Sequence, residues 1–199
     1  MKKGSTETKK QILAAAEQLF RSQGYANTTI DEIITAAQCS KGTFYHYFEG
    51  KEEIAGIPDL YDQVYADWYE EAKTRDQDAL SLLREFNRVF LTQLEAKQDL
   101  ERSAAMCRYE ISTKNKDVYI GSSRVYNRII QNILQEGQAA NTVRADVSFM
   151  ELSHIYAMAQ RGIVFDWCIC NGTYSLLEFG TRPINMLLCG FAPESDLNL

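Results

Sequence analysis

Apolar residues recur every three to four positions along most of this chain of 199 residues, and no stretch alternates like a β-strand. The repeat predicts a first helix over Thr6–Gln23, ended by Gly24, and short helices after Thr29 and after Ser40. It predicts further helices from Lys51, after Pro58, and over Asp78–Ala96, Leu100–Ser112, Val118–Glu136, Phe149–Cys170 and Tyr174–Cys189, with a loop over Gly137–Asp146. The pattern therefore predicts an all-α protein.

The second and third helices of the chain, both short, carry clear start signals. Thr29 and Glu32 have the spacing of a capping box, and Ser40 can accept a hydrogen bond from the first-turn amides of the next helix. Phe44 and Phe48 lie four residues apart and so share one face of that helix. Two short helices joined by a tight turn after a longer helix follow the helix-turn-helix plan, which leaves the other face of the third helix available for DNA.

Three segments in this order carry a more specific signal: Phe20–Tyr25, Thr28–Ile33 and Ser40–Ile54. Together they resemble the TetR family of bacterial transcriptional repressors. The resemblance implies a DNA-binding domain over residues 1–53 and a larger helical domain over residues 54–199 that dimerises and holds a small-molecule pocket. Pro58 predicts a kink or restart in the helix that joins them.

The resemblance also implies roles for single residues. Those expected to hold DNA phosphates are Thr29, Ser40, Thr43, Tyr47 and Lys51. Those expected near base edges are Lys41, Gly42, Tyr45 and His46. Phosphate contacts position a protein on DNA and base contacts specify the sequence, so substitutions in the two sets should behave differently.

Aromatic residues form a stripe along the helix after Pro58, where Tyr61, Tyr65 and Trp68 share one face. Such a stripe is more often plain core, but its place on the helix that lines the pocket in the resembled family also makes it a candidate pocket wall. The remaining candidates for that pocket are Phe90, Met106, Tyr109, Tyr126 and Trp167.

Charge is uneven along the chain. The net charge is −6, yet residues 1–53 carry seven basic and seven acidic residues, so the excess acid lies in the remainder. A locally neutral DNA reader should bind weakly as one copy. We therefore expect a homodimer through the last two helices, in a four-helix bundle that adds a second set of DNA contacts. Gly162, Asp166, Trp167 and Gly172 are also spaced as in the penultimate helix of the family.

Other classes of function find little support in the sequence. An enzyme such as a Cys/His/Asp hydrolase would need a nucleophile in a strand-turn-helix elbow, and His46 and His154 are the only histidines. Five scattered cysteines, at positions 39, 107, 168, 170 and 189, predict buried thiols rather than disulfides, a metal site or a redox switch. No apolar run is long enough to span a membrane, so we expect a cytoplasmic protein without membrane contact. We also expect no metal or cofactor.

The sequence thus predicts a ligand-responsive repressor that binds a palindromic double-stranded operator as a homodimer and is released by a small-molecule inducer. The alternative is a DNA-binding adaptor regulated by a protein partner or by cysteine oxidation, with no small-molecule inducer.

Overall fold

The computed structural model describes residues 3–55, 59–96, 100–112 and 124–193. Within these ranges all regular secondary structure is helical, which confirms the predicted all-α fold. The helices are α1 (Lys3–Gln23), α2 (Ile30–Ala36), α3 (Lys41–Tyr47), α4 (Lys51–Ala55), α5 (Asp59–Ala72), α6 (Ala79–Ala96), α7 (Leu100–Ser112), α8 (Val125–Ala139), α9 (Phe149–Ile169) and α10 (Leu176–Cys189).

The chain folds into two compact units. The first comprises residues 1–60 and 99–113, and the second comprises residues 61–98 and 114–199. Helix α7 therefore belongs to the same unit as α1 to α4, although α6 precedes it and α8 follows it in the sequence. The predicted domain boundary after residue 53 stays a prediction.

The first unit closes around one apolar core to which five helices contribute. Its main buried residues are Ile12, Ala16 and Phe20 of α1, Ile33 of α2, Phe44 of α3 and its C-cap Phe48, Ile54 and Ala55 of α4, and Ala105 of α7. Gly24 ends α1 with a φ of +82°, a left-handed conformation that glycine adopts without steric cost. The turn into α3 passes through the left-handed region at Gln38. These turns fix the angle at which α3 meets the core.

The second unit contains α6, α8, α9 and α10, which pack against one another. Ser148 and Ser175 cap α9 and α10, because each side chain accepts a hydrogen bond from a backbone amide three residues on. A short turn joins these two helices, and they pack on each other.

One predicted element is wrong in its end point. Gly137 was expected to open a loop, but it lies inside α8, which continues to Ala139. A Cβ on Gly137 would lie 2.5 Å from the Cβ of Ala79 and 2.6 Å from a methyl group of Val143. The glycine therefore permits close packing inside a helix and does not break it. The predicted helix start at Val118 and the predicted kink at Pro58 lie outside the described residues.

Candidate functional site

Helix α3 has two sharply different faces. Phe44 and Phe48 are buried in the core of the first unit, with 0% and 1% of their surface exposed, and their rings lie 5.8 Å apart. Tyr45 is 49% exposed, and His46 is exposed beside it. The buried face anchors the helix, so the exposed face is held rigidly toward the solvent.

Hydroxyl groups predicted to hold phosphates take part in helix capping. The Oγ of Ser40 accepts a hydrogen bond from the amide of Thr43 at 3.1 Å and lies 2.8 Å from the Thr43 hydroxyl. Thr29 and Glu32 form the predicted capping box at the start of α2. Hydrogen bonds from the Thr29 backbone amide and hydroxyl lower the pKa of the Glu32 carboxyl. These caps fix the ends of the two helices.

The cations at this surface differ in how firmly they are held. Lys41 lies 3.5 Å from Asp31, and both side chains are largely exposed. An exposed ion pair of this kind contributes about 0–1 kcal/mol, so Lys41 can exchange its partner for a phosphate at little cost.

Lys51 is held much more firmly. Its ammonium group donates hydrogen bonds to the carbonyl oxygens of Tyr25 and Thr28, each at 2.7 Å, and to that of Ala26 at 3.3 Å. It also lies 4.4 Å from the centroid of the Tyr25 ring. The lysine therefore joins α4 to the loop after α1. Sequence reasoning missed this role, because nothing in the pattern pairs a lysine with carbonyls more than twenty residues earlier.

Gly42 has no steric need to be glycine within its own chain. A Cβ built there would meet only the Ser40 hydroxyl, at the ordinary contact distance of 3.9 Å. Glycine in a helix costs about 1 kcal/mol relative to alanine. An exposed glycine that packing does not require is suited to the close approach of another molecule.

The second unit brings most of the predicted pocket aromatics together. Tyr65 lies at the centre of this cluster, with its ring 6.2 Å from those of Tyr61 and Tyr126 and 6.4 Å from that of Phe90. Phe86 of α6 also joins the cluster, at 5.5 Å from Tyr65 and 5.2 Å from Trp68. Burial raises the pKa of the Tyr65 phenol well above its ordinary value, so the hydroxyl stays protonated.

Buried polar groups adjoin this aromatic cluster. Tyr126 donates a hydrogen bond to the side-chain oxygen of Gln160, and the amide nitrogen of Gln160 donates to Asn87 at 2.8 Å. The Tyr156 hydroxyl donates to the Leu83 carbonyl at 2.7 Å. Sequence reasoning missed Asn87 and Gln160, which are fully buried amides on otherwise apolar helix faces. The sequence did carry a signal for them, because both amides stand at positions where the helical repeat places apolar residues.

Three predicted pocket residues lie elsewhere. Met106 and Tyr109 are on α7, in the first unit, whereas the aromatic cluster is in the second. Trp167 is buried near the end of α9, where its indole nitrogen donates to the Tyr174 carbonyl at 3.0 Å. That bond ties α9 to the turn before α10.

The five cysteines are free thiols, but the prediction that they are buried is wrong, because four are only partly buried and Cys189 is exposed. Cys168 and Cys170 lie at the end of α9, and Cys189 ends α10 after a reversal of the chain, so roughly 20 Å of helix length separates them. His154 is exposed. Among the described residues there is no cluster of histidine, cysteine, aspartate or glutamate that could hold a metal. In the same ranges, no helix has the length and apolar character to cross a membrane.

Comparison with known proteins agrees with this architecture. Residues 12–56 match the family model of bacterial regulatory proteins of the tetR family. An uncharacterised HTH-type transcriptional regulator from the lacX 3' region of Lactococcus lactis is 46% identical over 46 residues, which cover 23% of this chain. The match spans 24% of that relative's length, about a quarter.

Two solved structures resemble nearly the whole chain in fold. Thermus thermophilus FadR, a TetR family repressor in complex with lauroyl-CoA, has a TM-score of 0.73 at 23% identity, covering 91% of this chain and 93% of its own. Bacillus subtilis FadR, in complex with stearoyl-CoA, has a TM-score of 0.63 at 20% identity, covering 92% and 98%. The helix-turn-helix unit thus matches the tetR family over residues 12–56, and nearly the whole chain shares the fold of these two FadR structures.

Proposed function

We propose that the protein is a repressor that binds a palindromic operator as a homodimer and is released from it by a small-molecule inducer. The observation that carries the proposal is the division of α3 into a buried aromatic face and an exposed face of Lys41, Gly42, Tyr45 and His46. A rigid helix with exposed donors, and with a glycine that allows close approach, suits the major groove.

Dimerisation is supported by exposed apolar residues on the last two helices. Four of them follow one face of α9 and two lie on α10, with 46–76% of their surface exposed. They are Met150, Met158, Phe165 and Ile169 of α9, and Phe179 and Met186 of α10. An apolar stripe of this length fits a second copy of the same surface, because a twofold interface buries identical patches against each other.

Gly162 lies along the same stripe. It is exposed in the middle of a long helix, and a Cβ built there would meet nothing within 4 Å in its own chain. Glycine in mid-helix lowers stability by about 1 kcal/mol, so a compensating contact is expected outside the protomer. A helix of the partner crossing close to Gly162 would supply that contact.

The inducer is proposed to bind in the interior of the second unit. The aromatic cluster around Tyr65 offers apolar walls, and the buried hydroxyl and amide groups of Tyr126 and Gln160 offer hydrogen-bonding partners. The lauroyl-CoA and stearoyl-CoA complexes of the two FadR proteins make long-chain acyl-CoA the first ligand class to test.

The DNA part of the proposal is tested by selecting duplexes from a random-sequence library with the wild-type protein. An enriched palindrome is the expected result, with half-sites centred about 34–36 Å apart. Gly42→Ala should lose affinity for that duplex while its thermal midpoint does not fall, since an added methyl group fits within the chain and favours the helix but obstructs the groove. Failure of the wild-type protein to enrich any sequence would refute operator binding.

The inducer part is tested by thermal unfolding with lauroyl-CoA, using free coenzyme A and lauric acid as comparisons. Binding should raise the midpoint and release the selected duplex, and Phe90→Ala in the aromatic cluster should weaken both effects. Ile111→Ala, an exposed apolar residue of the first unit, is the matched control. A compound that raises the midpoint but leaves the DNA complex intact would contradict release by that ligand.

A further inference from the structure

A buried ion pair joins α7 to α1 inside the first unit. The Nη2 of Arg102 lies 2.9 Å from the Oε2 of Glu17, and only 5% and 7% of the two residues is exposed. The guanidinium group also lies 5.2 Å from the ring of Phe20, a core residue of α1. The second carboxylate oxygen of Glu17 accepts a hydrogen bond from Arg21 at 2.9 Å.

Burial makes this pair sensitive to the loss of either member. Two charges taken out of water are tolerated when they neutralise each other, and one left alone is strongly disfavoured. If Arg102 moved away with α7, the Glu17 carboxylate would lose its buried guanidinium partner, whereas its other guanidinium partner, Arg21, is largely exposed. The favourable arrangement of the charges therefore exists only while α7 lies against α1.

Apolar contacts also hold α7 against the core of the first unit. Ala105, one turn after Arg102, is fully buried in the core that also holds Phe44 of α3. Arg108 lies 3.2 Å from Glu52 of α4, although this second pair is exposed. Helix α7 thus forms one wall of the core on which α3 rests.

The order of the chain gives this wall a particular importance. The chain reaches α7 from α6 and leaves it toward α8, and both neighbours in sequence belong to the second unit. The DNA-binding helix is therefore supported by an element that the N-terminal motif does not contain.

We infer that Arg102 and Glu17 are positioning residues for DNA binding: their buried ion pair holds α7 against α1, and the DNA affinity of α3 depends on it. The inference rests on the proposed operator binding. When α7 is displaced, a smaller fraction of molecules holds α3 in its binding position. The apparent DNA affinity falls in proportion to that fraction.

The test compares Arg102→Met with Arg108→Met, which removes the exposed pair on the same helix. Affinity is measured for the duplex selected by the wild-type protein, at several salt concentrations. Arg102→Met should bind about tenfold more weakly with an unchanged salt slope, because a buried guanidinium cannot neutralise a phosphate. Arg108→Met should stay within about twofold of wild type, as expected for an exposed pair.

A double variant separates the ion pair from simple packing. Glu17→Leu combined with Arg102→Met leaves no buried charge, so its affinity should recover to within about threefold of wild type. If the double variant instead loses as much DNA affinity as the two single variants together, the inference is overturned. So would a folded Arg102→Met protein with the affinity of the Arg108→Met control, or a salt slope reduced by about one.

Native-state hydrogen exchange of the wild-type protein decides the question if Arg102→Met fails to fold. The amides of α1 and α7 should open together, with the same free energy and denaturant dependence. Opening of α7 while α1 remains protected would overturn the inference. If the wild-type protein selects no duplex, operator binding fails as a proposal, and hydrogen exchange still reports on whether α7 is held against α1.

Discussion

Lys51 offers a sharp test of how the DNA-binding unit is built, because its ammonium group already has protein partners. Replacing it with methionine keeps much of the side-chain volume but removes the donor to the carbonyls of Tyr25, Thr28 and Ala26. Hydrogen bonds to a charged group contribute about 1.5–3 kcal/mol each when well made. Water can replace part of the loss at this half-exposed site, so we expect a total cost of about 2 kcal/mol.

The assay is thermal unfolding together with DNA binding at several salt concentrations. A loss of about 2 kcal/mol lowers the midpoint of a chain of this length by about 4–8 °C. Lys41→Met, which removes an exposed lysine next to Asp31, is the matched control and should leave the midpoint unchanged. Its DNA affinity should instead fall, with a salt slope reduced by about one.

The opposite pattern would refute this reasoning. If Lys51→Met keeps the wild-type midpoint and loses about one unit of salt slope, the lysine contacts phosphate, as the family resemblance implies, and its carbonyl contacts contribute little.

Three further outcomes follow from particular contacts. Gly137→Ala should destabilise the protein by about 1–3 kcal/mol in denaturant titration, because the new methyl group overlaps Ala79 and Val143. Gly162→Ala should raise the stability of the protomer by about 1 kcal/mol but weaken the dimer in sedimentation equilibrium, and an unchanged dimer would place the interface elsewhere. Glu32→Gln should make the free energy of unfolding depend less on pH in the acid range. The lowered pKa of the Glu32 carboxyl gives stability that is fully present above its ordinary value of 4.5 and is lost as the pH falls through the lowered pKa. Equal acid sensitivity of the Glu32→Gln and wild-type proteins would contradict that linkage.

Local pattern was enough to predict the elements of the first unit. The Thr29 capping box, the Ser40 cap and the i, i+4 spacing of Phe44 and Phe48 are short-range features, and the structure confirms the helices they predict. The partners of Lys51 and Arg102 are long-range features, since each side chain meets groups far away in the sequence. No periodicity encodes such a pairing, so both roles came only from the structure.

The second unit shows the same limit in a different form. The aromatic stripe predicted which helix face is buried, and Tyr65 does lie at the centre of a cluster. The stripe could not show that Phe86 joins the cluster or that Met106 belongs to the first unit, because helix packing assigns partners that helical spacing does not specify. Gly137 was misread since glycine ends helices more often than it permits close packing within one.

In the proposed operator complex, the paired α3 helices of a dimer read two related half-sites. Hydroxyl-radical footprinting of the wild-type protein on its selected duplex tests this most directly. We predict two protected half-sites, related by a twofold axis, on one face of the duplex and about 34–36 Å apart, with protection lost for Gly42→Ala. A single unrepeated site, or protection that Gly42→Ala retains in full, would contradict the account.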